Sequence, residues 1–171
     1  MHPLVQLARD TIETYVRHKR VPERTDPLPS DLPKRAGCFV TINSQGRLRG
    51  CIGTIEPSQD SLALEVVQNA VSAATRDPRF PAIDVRELAD LDIKVDVLSE
   101  PETITSLDDL DPRLYGVIVE SQQNPLKRGL LLPDLEGVDT VEYQLEIARR
   151  KAWLAPDEPV RISRFTVARY R

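Results

Sequence analysis

The chemistry that this sequence could perform centres on Cys51, in the segment GRLRGCIG, two residues after Arg49. Side chains two residues apart on a β-strand lie on the same face, so a strand here would place Arg49 beside the thiol. A neighbouring guanidinium favours the thiolate, which is the nucleophilic form of cysteine. Free cysteines are also often buried and inert. The segment therefore allows a reactive thiol with Arg49 as its partner, or a core residue.

The sequence offers Cys51 neither an obvious base nor a metal site. A hydrolytic cysteine normally needs a histidine to activate it, and the chain has only His2 and His18, in or beside its first predicted helix. These histidines and the two cysteines, Cys38 and Cys51, lack the spacing of a zinc site. We therefore expect no Cys-His dyad, no bound metal and no cofactor.

Other candidate residues surround the same segment. Glycines at 50 and 53 would let a ligand or another backbone come close. The segment DPRFP, at 77–81, ends a helix and would place Arg79 beside the same face. The expected ligand-binding residues are therefore Thr41, Arg47, Gly50, Gly53, Asp77 and Arg79.

The turn between two predicted strands decides which way Cys51 points. A change of one residue in the pairing would move every side chain to the other face of the sheet. A three-residue loop, 44–46, places Val40 opposite Gly50 and collects the apolar side chains on one face. Cys38 and Cys51 then lie on opposite faces, and no disulfide is expected. The polar face would hold Phe39, Thr41, Asn43, Arg47, Arg49, Cys51 and Gly53.

The elements that must position these residues follow from hydrophobic periodicity. Amphipathic helices are predicted at 4–15, 60–76 and 141–152. The second should begin at Asp60 or Ser61, and the third at a capping box of Asp139 with Glu142. Trp153 follows the last helical stripe and is expected to pack in the core or against a lobe, and not to bind a ligand. Strands are predicted at 38–43, 47–54, 91–97, 115–120, 129–132 and 160–170.

Helices and strands alternate without a regular βαβ pattern, which favours an α+β domain with a largely antiparallel sheet. Within the strand at 91–97, Lys94 and Asp96 are expected to form a solvated face.

The composition is typical of a globular domain, with 171 residues, 40% hydrophobic and 29% charged. Its formal net charge of −4 argues against nucleic-acid binding, since a phosphate backbone calls for a basic surface. No apolar run reaches membrane-spanning length, and two cysteines make no disulfide framework. We therefore expect a cytoplasmic protein without membrane association.

Four segments resemble, in order, the sequence blocks of the AMMECR-type domain family, named for a human chromosomal region linked to Alport syndrome, midface hypoplasia and elliptocytosis. The LRGCIG block is specific to that family, and the resemblance covers roughly residues 35–170. The four segments are GCFVT at 37–41, LRGCIGT at 48–54, DPRFP at 77–81 and RGLLLP at 128–133.

The resemblance implies an α+β fold, a main antiparallel sheet flanked by helices and a smaller second lobe, with a cleft beside the LRGCIG segment. Prokaryotic members are often encoded with, or fused to, a Memo-like protein and a radical S-adenosylmethionine enzyme, which are thus the suggested partners. We expect one domain, 1–171, with the smaller lobe formed by the Pro-rich 21–36 region and by 99–113.

The chain departs from the family pattern near its C-terminus. Where relatives usually carry a cysteine a few residues before Lys-Ala-Gly-Leu, this chain has Ala148 and reads Lys151-Ala152-Trp153-Leu154. A mechanism that uses Cys51 alone is compatible with this difference, whereas a mechanism that needs a second thiol near position 148 is not.

Two functions are compatible with the Arg49-Gly50-Cys51 face. In the first, the chain is an enzyme or accessory subunit for a small or peptide-like anionic substrate, with Cys51 as nucleophile or thiol contact and Arg49 stabilising the thiolate or the anion. In the second, the face is a non-catalytic docking surface anchored by Arg47, Arg49 and Arg79. A nucleic-acid-related regulatory role ranks third.

Overall fold

The computed structural model describes residues 1–23 and 27–171, which form two compact units. The first unit contains Met1–Leu98 and Ala168–Arg171, and the second contains Ser99–Val167. The 99–113 region belongs to the second unit, but the described part of the 21–36 region belongs to the first, because Leu32 and Ala36 pack in its core. The expected contribution of the Pro-rich region to the smaller lobe is corrected accordingly, with residues 24–26 outside the described residues.

The first unit is a four-stranded sheet with two helices packed on one face. The strands, in the order β2-β1-β3-β8, are β1 (Cys38–Ser44), β2 (Arg47–Gly53), β3 (Leu91–Leu98) and β8 (Val167–Tyr170). The helices are α1 (Pro3–His18) and α2 (Leu62–Thr75). Their apolar stripes and the inward residues of β1 and β3 form one continuous core.

Local signals set the ends of α2. Ser61 is its N-cap and accepts a hydrogen bond from the backbone N–H of Leu64 at 3.2 Å, which decides between the two predicted caps. The helix ends before Asp77, where Pro78 stops any continuation. The chain then turns through 77–81 toward a short 3-10 helix, Val85–Asp90, which leads into β3.

The second unit has its own sheet and its own core. Its strands, in the order β4-β7-β5-β6, are β4 (Glu102–Thr103), β5 (Gly116–Ser121), β6 (Arg128–Leu131) and β7 (Val160–Phe165). Helix α3 (Val141–Lys151) packs against this sheet, and a short 3-10 helix spans Leu107–Asp109. The N-cap of α3 is Thr140, which accepts from the N–H of Tyr143, so the predicted capping box at Asp139 is absent.

The predicted single strand at 160–170 is in fact two strands of two different sheets. Thr166 separates β7 from β8, and its N–H donates to the Ser99 hydroxyl at 2.8 Å instead of joining the pairing of either strand. The α+β class is confirmed, with two largely antiparallel sheets and flanking helices. Within 1–23 and 27–171, no helix has both the length and the apolar character needed to cross a membrane.

The β1–β2 hairpin differs from the predicted one at its turn. The turn has two residues, Gln45 and Gly46, with φ of 51° and 75°, the paired positive values of a type I′ turn. The three-residue loop was therefore wrong. A β-bulge follows on β2, because Ile42 pairs with Gly50 while Asn43 pairs with Leu48, which leaves Arg49 as the extra residue.

The bulge places the apolar and the polar side chains on opposite faces of the sheet again, which a two-residue hairpin without a bulge would not do. Beyond it, Thr41 pairs with Cys51, and Val40, which pairs with Ile52, is fully buried in the core. Leu48, expected in that core, lies on the turn side of the bulge and is 41% exposed. The inward face of β1 is thus as predicted, while its partners on β2 are shifted.

Gly50 is the contact point between β2 and α2. A Cβ atom built on Gly50 would lie 2.3 Å from the carbonyl oxygen of Ala73, closer than real Cβ atoms approach backbone. The absent side chain therefore allows the end of α2 to lie directly on the strand.

We expect Gly50→Ala to lower the free energy of unfolding by about 2 kcal/mol or more, because either α2 or β2 must shift. Urea unfolding of both variants measures this change. Gly46→Asn is the matched control, since no atom lies within 4 Å of its Cβ position and asparagine tolerates a φ of 75°. Equal stability of Gly50→Ala and wild type would contradict the proposed packing constraint.

Candidate functional site

The candidate site lies on the face of the first sheet that is turned away from α1 and α2. Thr41 is the central residue there, because it pairs with Cys51 on one side and with Lys94 on the other. Its hydroxyl oxygen lies 3.3 Å from the Cys51 sulfur, within hydrogen-bonding distance. The thiol and the hydroxyl thus form one partly exposed polar pair beside a lysine.

Asp77 and Arg79 cap the free edge of the sheet next to Cys51. Strand β2 is an edge strand, so its outward N–H and C=O groups have no neighbouring strand. The N–H of Cys51 donates to Asp77 Oδ2 at 2.9 Å, and the Arg79 guanidinium donates to the Cys51 carbonyl oxygen at 3.4 Å. The two side chains therefore replace the hydrogen bonds that a further strand would supply.

Arg79 and Asp77 are also tightly bound to each other. Asp77 Oδ1 accepts from the backbone N–H and the Nε of Arg79, both at 3.0 Å, and Oδ2 accepts from Nη2 at 2.8 Å. The hydrogen bonds from Arg79 are the main reason why the pKa of Asp77 is far below its usual range. Since the Asp77 side chain is 2% exposed and that of Arg79 is 55% exposed, the pair presents a fixed guanidinium to solvent.

The Cys51 thiol is not activated by this environment. Burial raises the pKa of Cys51, and this effect exceeds the lowering by the Thr41 hydrogen bond and by the charge of Arg79. The carboxylates of Asp96 and Asp77 raise the pKa further. Cys51 is therefore a neutral thiol at neutral pH.

Arg49, the predicted partner of the thiol, has a different position. At the bulge, its Nε and Nη2 donate to the two carboxylate oxygens of Glu87 at 2.7 and 3.0 Å, and Nη1 donates to the Pro81 carbonyl at 2.8 Å. Arg49 thus fastens the 3-10 helix and the segment before it to β2. The expectation that Arg49 stabilises a thiolate is corrected, because the guanidinium that acts on the Cys51 pKa is that of Arg79.

The two glycines of the site do not leave open space. The position beside Gly50 is filled by α2, and a Cβ on Gly53 would lie 2.3 Å from the Phe39 ring. Of the two predicted alternatives, the close approach of another backbone is observed at Gly50, while a ligand contact at either glycine stays a prediction. Arg47 pairs with Ser44 at the turn and is exposed. Of the predicted residues, the structure brings together Thr41, Cys51, Asp77 and Arg79.

Comparison with known proteins gives the chain a family. Residues 5–171 match the sequence pattern of the AMMECR1 family. The chain belongs to the AMMECR1 family. A Thermotoga maritima protein is 51% identical, with 99% of this chain and 98% of that protein aligned. A Clostridium acetobutylicum protein is 44% identical over 99% of this chain but only 36% of its own length.

The fold of this AMMECR1-family domain also occurs in a solved structure. The crystal structure of the uncharacterized protein PH0010 from Pyrococcus horikoshii matches with a TM-score of 0.86 and 33% sequence identity. The match covers 97% of this chain and 88% of that one. The family and fold predicted from the LRGCIG and DPRFP segments are confirmed.

Sequence reasoning missed two buried acids of the AMMECR1-family domain. Asp96, expected on a solvated face, is 2% exposed and is held by Arg169, with Nε 2.7 Å from Oδ1. Glu65 on α2 is fully buried and accepts from the Thr54 hydroxyl at 2.6 Å and from the N–H groups of Ser58 and Gln59 at 2.8 Å. The alternation of apolar and charged residues around Asp96 predicted the face of the sheet on which it lies. It could not predict the partner, Arg169, which is 73 residues away in the sequence.

Cys38, the second thiol, has a structural role. Burial raises its pKa to about 12, and its carbonyl oxygen accepts a hydrogen bond from Asn69 at 2.9 Å. Both cysteines are free. Within the described ranges, no group of three or more His, Cys, Asp or Glu side chains is arranged to hold a metal ion.

We expect alkylation of Cys51 by iodoacetamide to be slow at pH 7 and still to increase above pH 9, because burial keeps the thiol protonated. Mass spectrometry of the labelled peptides measures Cys51 and Cys38 separately, and the urea-unfolded chain gives the unperturbed rate. Arg79→Gln should slow labelling further, since the charge of Arg79 lowers the Cys51 pKa. A rate that levels off below about pH 8 would show an activated thiolate instead.

Asp77→Asn should cost about 1.5–3 kcal/mol of stability at pH 7, because it removes charge-assisted hydrogen bonds from a buried carboxylate. The folded pKa of Asp77 is depressed, so its contribution is complete above the ordinary value of about 3.9 and is lost as the pH falls below it. The stability difference between wild type and variant should therefore narrow below about pH 4.

Unfolding free energies from pH 7 to pH 2.5 measure this difference. Asp84→Asn is the control. Asp84 also forms an ion pair, with Arg86, but this pair is exposed, so its loss should change the free energy of unfolding much less. A constant difference between wild type and Asp77→Asn across this pH range would contradict the assigned pKa depression.

Proposed function

We propose that this AMMECR1-family chain is a binding domain that docks an anionic, peptide-like segment of a partner protein on the open face of its first sheet. Arg79 is the anchor of this interaction, and Cys51 contributes a hydrogen bond as a neutral thiol. The observation that carries the proposal is the exposed guanidinium of Arg79, held in place by a buried carboxylate immediately beside Cys51.

Preorganisation is the reason why Arg79 suits this role. An arginine that is already fixed loses little conformational entropy when it binds, and arginine is enriched among the residues that dominate interface energies. The bonds from Arg79 to Asp77 and Cys51 use Nε and Nη2. The hydrogens of Nη1 are the natural donors to a ligand oxygen.

The charge of the surrounding face supports an anionic ligand. Lys94 on β3 lies across from Thr41 on the same face. Arg169 on the neighbouring strand β8 forms an ion pair with Asp96 on β3. This face therefore combines three cationic side chains with three carboxylates, Asp77, Asp92 and Asp96, of which Asp77 and Asp96 are buried in ion pairs with arginine. A carboxylate or phosphate group close to the thiol would be bound by the exposed guanidinium of Arg79 and by Lys94, and not by an excess of positive charge over the whole face.

A non-catalytic interaction is preferred to covalent chemistry because of the state of Cys51. A nucleophilic cysteine needs a depressed pKa or an adjacent base. Here the pKa is raised, and the hydrogen-bond partner of the sulfur is the Thr41 hydroxyl, which is not a base at neutral pH.

The partner is expected to be another polypeptide of the same pathway. In the Clostridium acetobutylicum relative, the region that matches this chain is 36% of the protein, so the domain is joined there to further polypeptide. The Memo-like protein and the radical S-adenosylmethionine enzyme suggested by the family resemblance are the partners that we propose to test. A cytoplasmic location stays a prediction.

Thiol chemistry at Cys51 is the second candidate function. It is favoured by the partial exposure of Cys51 and by the charge of Arg79, which lowers the pKa of the thiol. A substrate that supplied its own base could deprotonate the thiol in the complex. Cys51→Ser distinguishes the two functions, because a hydroxyl preserves a hydrogen bond but not the nucleophile.

Arg79→Gln should weaken binding of a Memo-like or radical S-adenosylmethionine protein from the same genome by about 30-fold, the effect of losing one hot-spot arginine. Cys51→Ser should change the affinity by less than about 3-fold, since the thiol makes a single weak hydrogen bond. Surface plasmon resonance with the immobilised full chain measures both effects.

Two controls make this measurement specific. Arg79→Lys keeps the charge but not the paired donors, and should bind with intermediate affinity. Arg86→Gln removes an exposed arginine that is paired with Asp84, and should bind like wild type. Binding that survives Arg79→Gln but is lost in Cys51→Ser would overturn the docking function in favour of thiol chemistry, and no binding by either protein would overturn the choice of partners.

A further inference from the structure

Helix α3 of the second unit has an outward surface with separated charges. Gln144 and Ala148 are buried against the sheet, so the opposite side of the helix faces outward. Along that side, Glu142 and Glu146 occupy the N-terminal half, and Arg149 and Arg150 the C-terminal half. The helix therefore presents a negative end and a positive end on one exposed surface.

An open groove of about 360 Å³ runs beside these charges. Its apolar part is formed by Leu145 on α3 and by Leu154 and Pro156 in the following loop. A mainly apolar groove with charged borders at both ends is suited to a large apolar or aromatic side chain. The complete lining is Glu142, Leu145, Glu146, Arg149, Arg150, Leu154 and Pro156.

Trp153, at the end of α3, is the side chain in this region that is unexplained within one copy of the chain. It was expected in the core or against a lobe, yet it is 86% exposed, while the next residue, Leu154, is buried. Its φ of 58° is in the left-handed region, where glycine is the usual residue after a helix. The left-handed residue belongs to the motif that ends α3, in which the N–H of Leu154 donates to the Arg149 carbonyl oxygen at 3.0 Å. The motif explains the backbone conformation but not why an exposed tryptophan occupies the position.

We propose that α3 is a self-association surface, on which a second copy of this chain docks with its own α3 antiparallel and its Trp153 in the groove of the first copy. In a two-fold arrangement, each contact between two residues occurs twice. Within one copy, Glu146 already forms an ion pair with Arg150 one turn along the helix. An antiparallel pair that crosses at the level of Ala148 places Glu146 of each copy beside Arg150 of the other, so the two internal pairs join into one network across the axis.

Charge complementarity selects this occupant and this orientation. In an antiparallel pair the acidic end of each helix meets the basic end of the other, whereas a parallel pair would place like charges together. In a two-fold dimer, each copy supplies one exposed Trp153 and one apolar groove. A second copy therefore supplies an occupant for the groove and a cover for Trp153, in the one orientation in which the helix charges attract.

The contact should be weak and reversible. Helix α3 has 11 residues, a length of about 16 Å, so the buried area is at the low end of specific interfaces. Dissociation constants on the order of 10–300 μM are expected for such a contact. This surface shares no residue with the Cys51 and Arg79 site, so the two proposals succeed or fail independently.

The experiment uses the full chain and its only tryptophan, Trp153, as the probe. Sedimentation equilibrium from about 5 μM to 1 mM should show the mass rising from 19.3 kDa toward twice that value. The fluorescence of Trp153 should move to shorter wavelength over the same range and become less accessible to iodide. A constant mass together with a constant emission maximum up to 1 mM would overturn the proposal.

Charge exchange tests the antiparallel geometry. Glu146→Arg should weaken association at least 10-fold, because cations then face cations across the two-fold axis. Adding Arg150→Glu should restore it, but this change also restores the ion pair within each helix. The decisive result is therefore that the double variant should no longer pair with wild type. Asp90→Arg reverses the charge of an exposed residue in the first unit, and it should leave association unchanged. Equal association of wild type and Glu146→Arg, or free mixing of the double variant with wild type, would overturn the geometry.

Trp153→Gly separates folding from association. Glycine adopts the left-handed conformation without strain, so this variant should remain folded, with a melting temperature equal to or above that of wild type. Its association should nevertheless fall at least 10-fold. Dimers that form as tightly with Trp153→Gly as with wild type would show that another surface is responsible.

Discussion

The Asp77 carboxylate is the interaction on which the candidate site depends. It accepts from the backbone of Cys51 and from the backbone and side chain of Arg79, and it is almost completely buried. It thereby joins the end of α2 to the edge of the sheet, closes an edge that could pair with another strand, and fixes Arg79. A carboxylate is required because four N–H donors converge on its two oxygens.

Burial explains both the stability of this arrangement and the low reactivity of its thiol. The close packing of β2 that lets Asp77 reach Cys51 also removes the thiol from water, and this desolvation raises the Cys51 pKa. A cationic neighbour in the sequence is thus insufficient to indicate a reactive cysteine. The balance between desolvation and charge decides the protonation state, and here desolvation is larger.

The sequence predicted much of the fold and part of the site. Periodicity identified the three α-helices of the described residues, and the alternation in β1 correctly assigned Val40 to the core and Thr41 to the open face. The β-bulge could not be predicted, because a two-residue turn followed by a bulge separates the apolar and polar side chains of β1 as well as a three-residue loop does. The position of Arg49 followed from that choice, and the burial of Asp96 depends on Arg169, which is distant in the sequence.

The two arginines of the site show how solvent exposure separates structural from functional cations. Arg49 and Arg79 both bind a carboxylate with two nitrogens, yet their side chains are 15% and 55% exposed. Arg49 also binds the Pro81 carbonyl, so its donors are used to hold the segment between α2 and β3. Arg79 receives its geometry from Asp77 while more than half of its surface remains available, and only such a side chain can be both preorganised and accessible to a ligand.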